Sequence, residues 1–217
     1  MSIIPIPGGS FDEDHHIYRD EAGVFVPSLT QIISLQGLSN GYGAASPEVL
    51  ANAARRGNEV HFLAFAWAKF GDVDPTMVTD EVAPYFEAYK RFLEETNFKP
   101  DPDWVESPMI AEVHGMKFGV TPDTVGVRKP WPMICEIKCT AAESASWAIQ
   151  TAAQEMAYFK STQAGRAKRQ AVILKSDGRY KCCPHENHAY DSHVFLSALT
   201  CVYWRLTVGK QKLWEVV

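Results

Sequence analysis

The sequence predicts an α/β fold, and three features predict it. Two long segments with helical periodicity come early, residues 46–70 and 79–95. Short apolar stretches broken at turn residues fill 104–138. A helix, two strands and a closing helix then alternate to residue 208. Periods of 3.6 and 2 residues in one chain mark helices and strands that share a core.

The elements follow in order. His16–Asp20 and Val24–Val26 read as a hairpin turning at Gly23. Pro27-Ser28 opens a short helix, Leu29 to Leu35, with Ser28 as its cap. Gly37 to Gly43 reads as a loop. Ser46-Pro47-Glu48 places a cap, a first-turn proline and a first-turn acid at the start of a helix that stops at Gly71. Leu50, Ala54, Gly57, His61, Ala64, Phe65 and Ala68 share one face of it, and His61 is the only ionisable group there. Thr79-Asp80-Glu81 starts a second helix whose stripe is Tyr85, Phe86, Tyr89, Phe92 and Leu93, aromatics that suit a core better than a base-stacking platform. Asn97 to Asp103, with two prolines, reads as a linker between a helical part, about 28–98, and a sheet-containing part, about 99–217.

Trp104 to Val113 and Met116 to Val120 read as strands turning near His114-Gly115. Thr124–Val127 and Met133–Cys139 read as a further pair across Arg128-Lys-Pro130. Residues 142–159 are helical, with Ile149, Ala152, Ala153, Met156 and Phe159 on the packing face and Trp147, Gln150, Gln154 and Tyr158 opposite. Arg166, Lys168 and Arg169 sit between that helix and a strand at 170–174. They either complement the helix dipole or meet a phosphate backbone. Residues 179–182 form another strand, 191–208 a closing helix, and 213–217 a short strand or tail.

The 217 residues suffice for one domain with a sizeable core, since 46% are apolar. The net charge of −5 and the lack of a long basic run argue against a passive nucleic-acid binder. No apolar run reaches transmembrane length, so no membrane association is expected. The first residues lack the charged start and apolar centre of a signal peptide. Five cysteines without framework spacing fit a reducing, cytoplasmic setting.

The stretch that organises the chain is Gly119-Val-Thr-Pro-Asp123, then twelve residues, then Glu136-Ile-Lys138. Alternation puts Glu136 and Lys138 on one side of their strand and Ile137 on the other. If the strands on either side of Pro130 pair, Asp123 lies next to Glu136. Two carboxylates and a lysine suit magnesium or manganese and a phosphate substrate. A structural ion network is the competing reading for Glu-x-Lys taken alone.

Together these motifs resemble the PD-(D/E)xK nuclease superfamily, and within it the RecB-like exonuclease branch of phage type. Tyr18-Arg-Asp20 through Ile33 is similar to the N-terminal stretch of that branch. Arg56-Gly-Asn-Glu-Val-His61 resembles its G-x-x-x-H element, and Gln154-Glu-Met-Ala-Tyr158 its Q-x-x-x-Y, sixteen residues after Lys138. The resemblance runs from about Tyr18 to Leu174, in family order.

The resemblance implies a central mixed β-sheet flanked by helices, with a helical N-terminal part, in one nuclease domain spanning 1–217. It implies Mg²⁺ or Mn²⁺ held by His61, Asp123, Glu136 and the Ile137 carbonyl. Asp123, Glu136 and Lys138 would be catalytic, with Lys138 orienting the attacking water. Gln154 and Tyr158 would position the scissile phosphate, and Gln150, one turn earlier, competes with Gln154. Glu106 resembles an acid that the family carries one strand earlier, with Glu112 as a rival. The substrate would be linear DNA with ends, in phage-type recombination, repair or processing. A further copy of the chain or a phage recombination protein would be its partner. The negative charge is compatible, because cations neutralise such a site. Two other classes stay open: a structure-specific or restriction-type endonuclease, and a non-catalytic nucleic-acid-binding protein.

Cys182-Cys-Pro-His-Glu-Asn-His188 and His193 hold zinc-type side chains, but adjacent cysteines without C-x-x-C speak against a structural zinc. No cysteine precedes Cys135, which speaks against the four-cysteine iron–sulfur cluster of some RecB-like nucleases.

Overall fold

The computed structural model describes residues 2–39, 46–140, 142–162 and 166–211. A small antiparallel sheet comes first, in chain order: β1 (Ile3–Ile6), β2 (Gly9–Asp12), β3 (Ile17–Asp20) and β4 (Phe25–Val26). The expected hairpin is its second half; β1 and β2 were not expected from the sequence. α1 (Leu29–Leu35) follows, closed by a full capping box between Ser28 and Gln31.

α2 (Pro47–Phe70) starts at an N-cap Ser46 that accepts from Val49, and ends where Gly71 turns left-handed at φ 71°. Its buried residues are Val60, Leu63, Ala64 and Phe65. The expected stripe is therefore corrected: Ala54 is exposed, and burial begins only after Gly57. α3 (Ala83–Thr96) starts later than Thr79 because residues 79–82 form a turn, and a short 3₁₀ segment, Pro75–Met77, precedes it. Phe86, Tyr89 and Phe92 are buried, as their stripe requires.

The central sheet is mixed, in order β11-β10-β9-β8-β5. Its strands are β5 (Lys99–Val105), β8 (Thr124–Arg128), β9 (Trp131–Lys138), β10 (Lys168–Leu174) and β11 (Tyr180–Pro184). Between β5 and β8 lies a separate hairpin, β6 (Met109–Val113) and β7 (Met116–Val120). Two readings are corrected here. Residues 99–103 are strand and not linker: they pair with β8, and a register shift accommodates the prolines at an edge. Trp104 to Val113 is not one strand, because the chain breaks at Glu106, where φ is 45°.

β9 and β10 are parallel and the other pairs antiparallel. A parallel pair needs a crossover, and α4 (Ser146–Thr162) provides it. α5 (His188–Thr207) closes the described chain. The expected strand or tail at 213–217 and part of the loop at 37–43 lie outside the described residues.

Strand alternation sorts the core. Met133, Cys135, Ile137, Val172 and Leu174 pack with α2 and α3 on one face of the sheet. On the other face α4 covers the sheet. Its outer side joins α1, the β6–β7 hairpin and α5 in a second apolar cluster, including Ile149, Ala153, Phe118 and Phe195. The fold is therefore α/β, with a mixed central sheet flanked by helices.

Candidate active site

The stretch from Gly119, near the end of β7, to Asp123 is fixed by the N-terminal sheet and the residue that follows it. The Tyr18 ring lies flat against Gly119, where a Cβ would stand 2.2 Å from a ring carbon. Only glycine admits that approach. Tyr18 also hydrogen-bonds the Thr121 hydroxyl at 2.6 Å, and the Gly119 N–H donates to Pro27 at 2.9 Å. The loop then enters β8 at Pro122, which has no N–H to offer a ladder. β8 pairs with β9 in a register that sets Thr124 opposite Cys135. Asp123 thus stands at the level of Glu136, and its Oδ2 accepts from the Ile137 N–H at 2.7 Å. A side-chain oxygen continues the ladder where the strand has ended.

Glu136 faces α4 and is 2% exposed. Lys138 Nζ donates to its Oε1 at 2.6 Å, Gln150 Nε2 to the same oxygen at 2.5 Å, and Gln154 Nε2 to Oε2 at 2.6 Å. Gln150 and Gln154 are one turn apart, so both reach one carboxylate. Gln154 is completely buried. Its Oε1 meets no hydrogen-bond donor among the described residues. Buried amide oxygens rarely stay unanswered.

His61 approaches from α2, with Nδ1 3.9 Å from Asp123 Oδ1 and its ring edge-on to Phe65. Burial, aided by the nearby Lys138 charge, lowers its pKa to about 4. Glu136 and a hydrogen bond to the Ile137 backbone pull the other way. The ring is neutral at pH 7 and keeps a lone pair. Asp123 is raised well above the carboxylate range by burial and then by Glu136, against Lys138 and the Ile137 N–H.

Glu106 joins this group. Its N–H donates to the Asp123 carbonyl at 3.2 Å. Its side chain is open to solvent on one flank, while packing on the other raises the carboxyl pKa; Lys69 opposes that shift and Glu136 adds to it. Glu112 lies elsewhere, on β6, near Lys117 and Tyr203.

Tyr158 sits one turn beyond Gln154. Its ring meets Trp104 edge-on at 4.8 Å, beside Val125, Ile134 and Ala167. The expected division of α4 into a packing face and an opposite face is corrected: Trp147 and Gln154 are buried as fully as Ile149 and Ala152. The helix is enclosed by sheet on one side and by α1 and α5 on the other. The absence of lysine and of all but one glutamate from 147–159 was the sequence signal for this.

Among the described residues, no three His, Cys, Asp or Glu side chains stand ready as a metal-ligand set. The donors are nonetheless of the type that a hard divalent cation takes. Two carboxylates face one ammonium, with Glu106 at the mouth, and burial, then the Glu136 charge, hold the Asp123 carboxyl well above its usual range. In the described arrangement Lys138 and two amides answer Glu136.

The cysteine–histidine cluster disperses. Cys182 and Cys183 follow one another on β11 and so face opposite sides of the sheet, Cys182 toward α3 and Cys183 toward Trp147. His185 bonds the Thr151 hydroxyl at 2.9 Å, and His188 bonds Glu155 at 2.9 Å. Arg169 is also not a backbone-binding residue: it is buried against Glu155 and Asp191.

No helix among the described residues is long and apolar enough to cross a membrane. No family model matches the chain, and no curated protein matches it. Solved structures that resemble it include SSO0001, at 14% identity and TM-score 0.31, covering 79% of this chain and 82% of that one. They also include the alkaline exonuclease LHK-Exo of Laribacter hongkongensis, at 16% identity and TM-score 0.31, covering 85% of this chain and 94% of that one. Likeness at that level does not carry an activity from one chain to the other.

Proposed function

We propose that the chain is a metal-dependent nuclease of the PD-(D/E)xK type, close to the RecB-like exonuclease branch, that hydrolyses phosphodiester bonds at the ends of linear DNA. One observation carries this reading. Asp123, Glu136, Lys138, His61, Glu106, Gln150 and Gln154 come from distant parts of the sequence and meet at one end of the central sheet. An ordinary structural ion pair needs no such convergence.

Asp123, Glu136, neutral His61 and the Ile137 carbonyl would hold Mg²⁺ or Mn²⁺. The bound cation would polarise the phosphodiester and lower the pKa of a coordinated water. Lys138, whose Nζ donates to Glu136 in the described arrangement, would orient the attacking water. Gln150 and Gln154 fix the Glu136 carboxylate, and Gln154 Oε1 is left to accept from water or substrate. Tyr158 would position the scissile phosphate through its hydroxyl, with Gln154 supporting it indirectly through the Glu136 carboxylate. The phosphate carries no base identity, so sequence preference is weak.

The test is end-labelled linear DNA and covalently closed circles, single- and double-stranded, with Mg²⁺, Mn²⁺ or EDTA. Degradation of linear DNA alone, abolished by EDTA and by Asp123→Ala, Glu136→Ala or Lys138→Ala, is expected. Cutting of closed circles points instead to an endonuclease. Full activity in any of the three variants overturns the assignment.

A further inference from the structure

The charge of this protein is −5, and many of its cations are spoken for. Arg55, Arg56, Lys90, Arg91, Lys117, Arg169, Arg179 and Lys181 each face a carboxylate. Five others gather at the end of the central sheet opposite the carboxylates: Lys99, Arg128, Lys129, Arg166 and Lys168. All five are exposed, and among the described residues none forms an ion pair. The strand registers bring them together. Lys99 stands opposite Val127, Arg128 opposite Trp131, and Lys168 opposite Met133.

An indole lies in the midst of them. Trp131 is 54% exposed at the β8–β9 turn, and the Lys168 ammonium stands 5.8 Å from its ring centroid. Val127 beside it is also exposed. A large aromatic left in water and surrounded by uncompensated cations has no structural benefit to show for either. Uncompensated cations repel one another unless an anion arrives. A flat ring among them adds a stacking surface for a base or sugar.

We infer that this sheet end is a second docking patch for nucleic acid, which grips the phosphate backbone away from the reacting bond. Trp131 precedes Glu136 by five residues on one strand, about 17 Å at roughly 3.3 Å per residue. That is roughly five base pairs of duplex. The reacting end and the docking patch therefore act on different nucleotides. Among the described residues the patch carries no metal-ligand cluster, so it binds without a metal. The ligand class rests on the nuclease reading; the patch itself rests on charge and exposure.

Binding is measured in EDTA, on the full chain, with a fluorescent 24-base-pair DNA duplex over a range of salt. The variants are Trp131→Ala and the triple Arg128→Ala, Lys129→Ala, Lys168→Ala. All four side chains are exposed, so the folded state tolerates their loss, and melting curves check this. The triple variant is expected to bind at least tenfold more weakly at moderate salt. Its slope of log affinity against log salt should fall by about 2–3, roughly one unit for each phosphate that is no longer neutralised. Trp131 emission should change when DNA binds. Unchanged affinity and slope in the triple variant overturn the patch. So does polyglutamate of equal charge that displaces DNA one for one, which would assign the surface to an acidic protein. Hydrolysis is scored separately in Mg²⁺. A chain that binds DNA through this patch and hydrolyses none would sink the nuclease reading alone, and a nuclease with unaltered patch variants would sink this inference alone.

Discussion

Two clusters of buried charge touch the same helix, α4, and they are built on opposite plans. In one, Arg169 of β10 is completely enclosed. Its guanidinium reaches Glu155 at 3.2 Å, Asp191 at 2.8 Å and the Ala148 carbonyl at 2.8 Å, while His188 bonds Glu155. Both carboxylates there meet that one guanidinium, and its fork of donors is filled. In the other, Glu136 and Asp123 share one ammonium and are otherwise answered by amides and a backbone N–H. The first cluster fastens α4 and α5 to the sheet. The second leaves a carboxyl raised and an amide oxygen that no donor among the described residues answers. Buried charge that is complete holds elements together; buried charge that is short of a partner is where a ligand belongs.

The sharpest test reverses the two. Arg169→Met removes one charge and strands two carboxylates, which should cost about 3–5 kcal/mol. For a chain of this length that lowers the melting temperature by roughly 10 °C or more. Glu136→Gln leaves the Lys138 ammonium beside Asp123 and keeps an acceptor for part of the donor set, so the loss of stability should be smaller than for Arg169→Met while hydrolysis disappears. Thermal melts of both variants beside DNA-degradation rates decide it. A Glu136→Gln variant that melts early, with Arg169→Met unharmed, would mean that the two clusters have been assigned the wrong way round.

The second test concerns what keeps the incomplete cluster in place, which is close packing and not ion pairing. Gly119→Ala drives a Cβ into the Tyr18 ring. Either the ring or the loop must shift, at about 1–3 kcal/mol. A shifted loop carries Asp123 with it, so turnover should fall further than stability does. Tyr18→Ala in the same chain makes room for the new methyl. The double variant should therefore be less damaged than the sum of the singles, measured by denaturant melts. Strict additivity would show that Tyr18 does not hold the loop.

This contrast also explains what was legible in the sequence. The helix starts at Ser28 and Ser46 and the stop at Gly71 are local, written in caps and turns, and the structure has them at those residues. The pairing of β8 with β9, and so the level of Asp123 with Glu136, followed from two apolar runs around a short turn. The break at Glu106 was not legible. Its positive φ answers to a change of sheet that no local pattern announces. Residues 99–103 looked like linker because prolines are poor strand formers, yet an edge strand tolerates them. The role of Arg169 was hidden for a different reason. Basic residues near a helix end read as solvated, and only the fold brings Glu155 and Asp191 around this one.

Smaller effects come from the amides. Gln150→Ala and Gln154→Ala each remove one hydrogen bond to a charged oxygen of Glu136, worth about 1.5–3 kcal/mol. Turnover should fall roughly ten- to a hundredfold, with Mn²⁺ binding retained in calorimetry. Because both serve one carboxylate, the double variant should lose less than the sum. Tyr158→Phe keeps the ring against Trp104 and removes only the hydroxyl, so any fall in turnover there reads a phosphate contact. Loss of Mn²⁺ binding in either glutamine variant would show that the amides act on metal affinity through Glu136 and not on turnover alone.

The smallest effect tests whether the two clusters communicate, and His185 lies between them. Its ring bonds Thr151, the same hydroxyl that Arg169 approaches at 3.4 Å. Thr151 donates to the Trp147 carbonyl, so it accepts from His185 Nδ1, a bond that does not itself favour a second proton on the ring. Burial, then the Arg169 charge, lower the ring pKa to about 4, while Asp191, Glu136 and Glu143 oppose. The sign follows from the ordinary value near 6.5. As pH falls from 6.5 toward 4, the unfolded chain takes up the proton first, so stability is lost across that window. With the ring partly exposed, the loss should be on the order of 1 kcal/mol by pH 5. His185→Gln can still meet Thr151 but does not titrate, so its melting temperature should fall less between pH 7 and pH 5 than that of the unaltered chain. If Arg169→Met is added to the unaltered chain, the guanidinium that depresses His185 is gone, and the acid sensitivity due to His185 should shrink. The same loss of stability with acid in His185→Gln as in the unaltered chain would show that the ring titrates normally, and that the complete cluster does not reach across Thr151 toward Glu136.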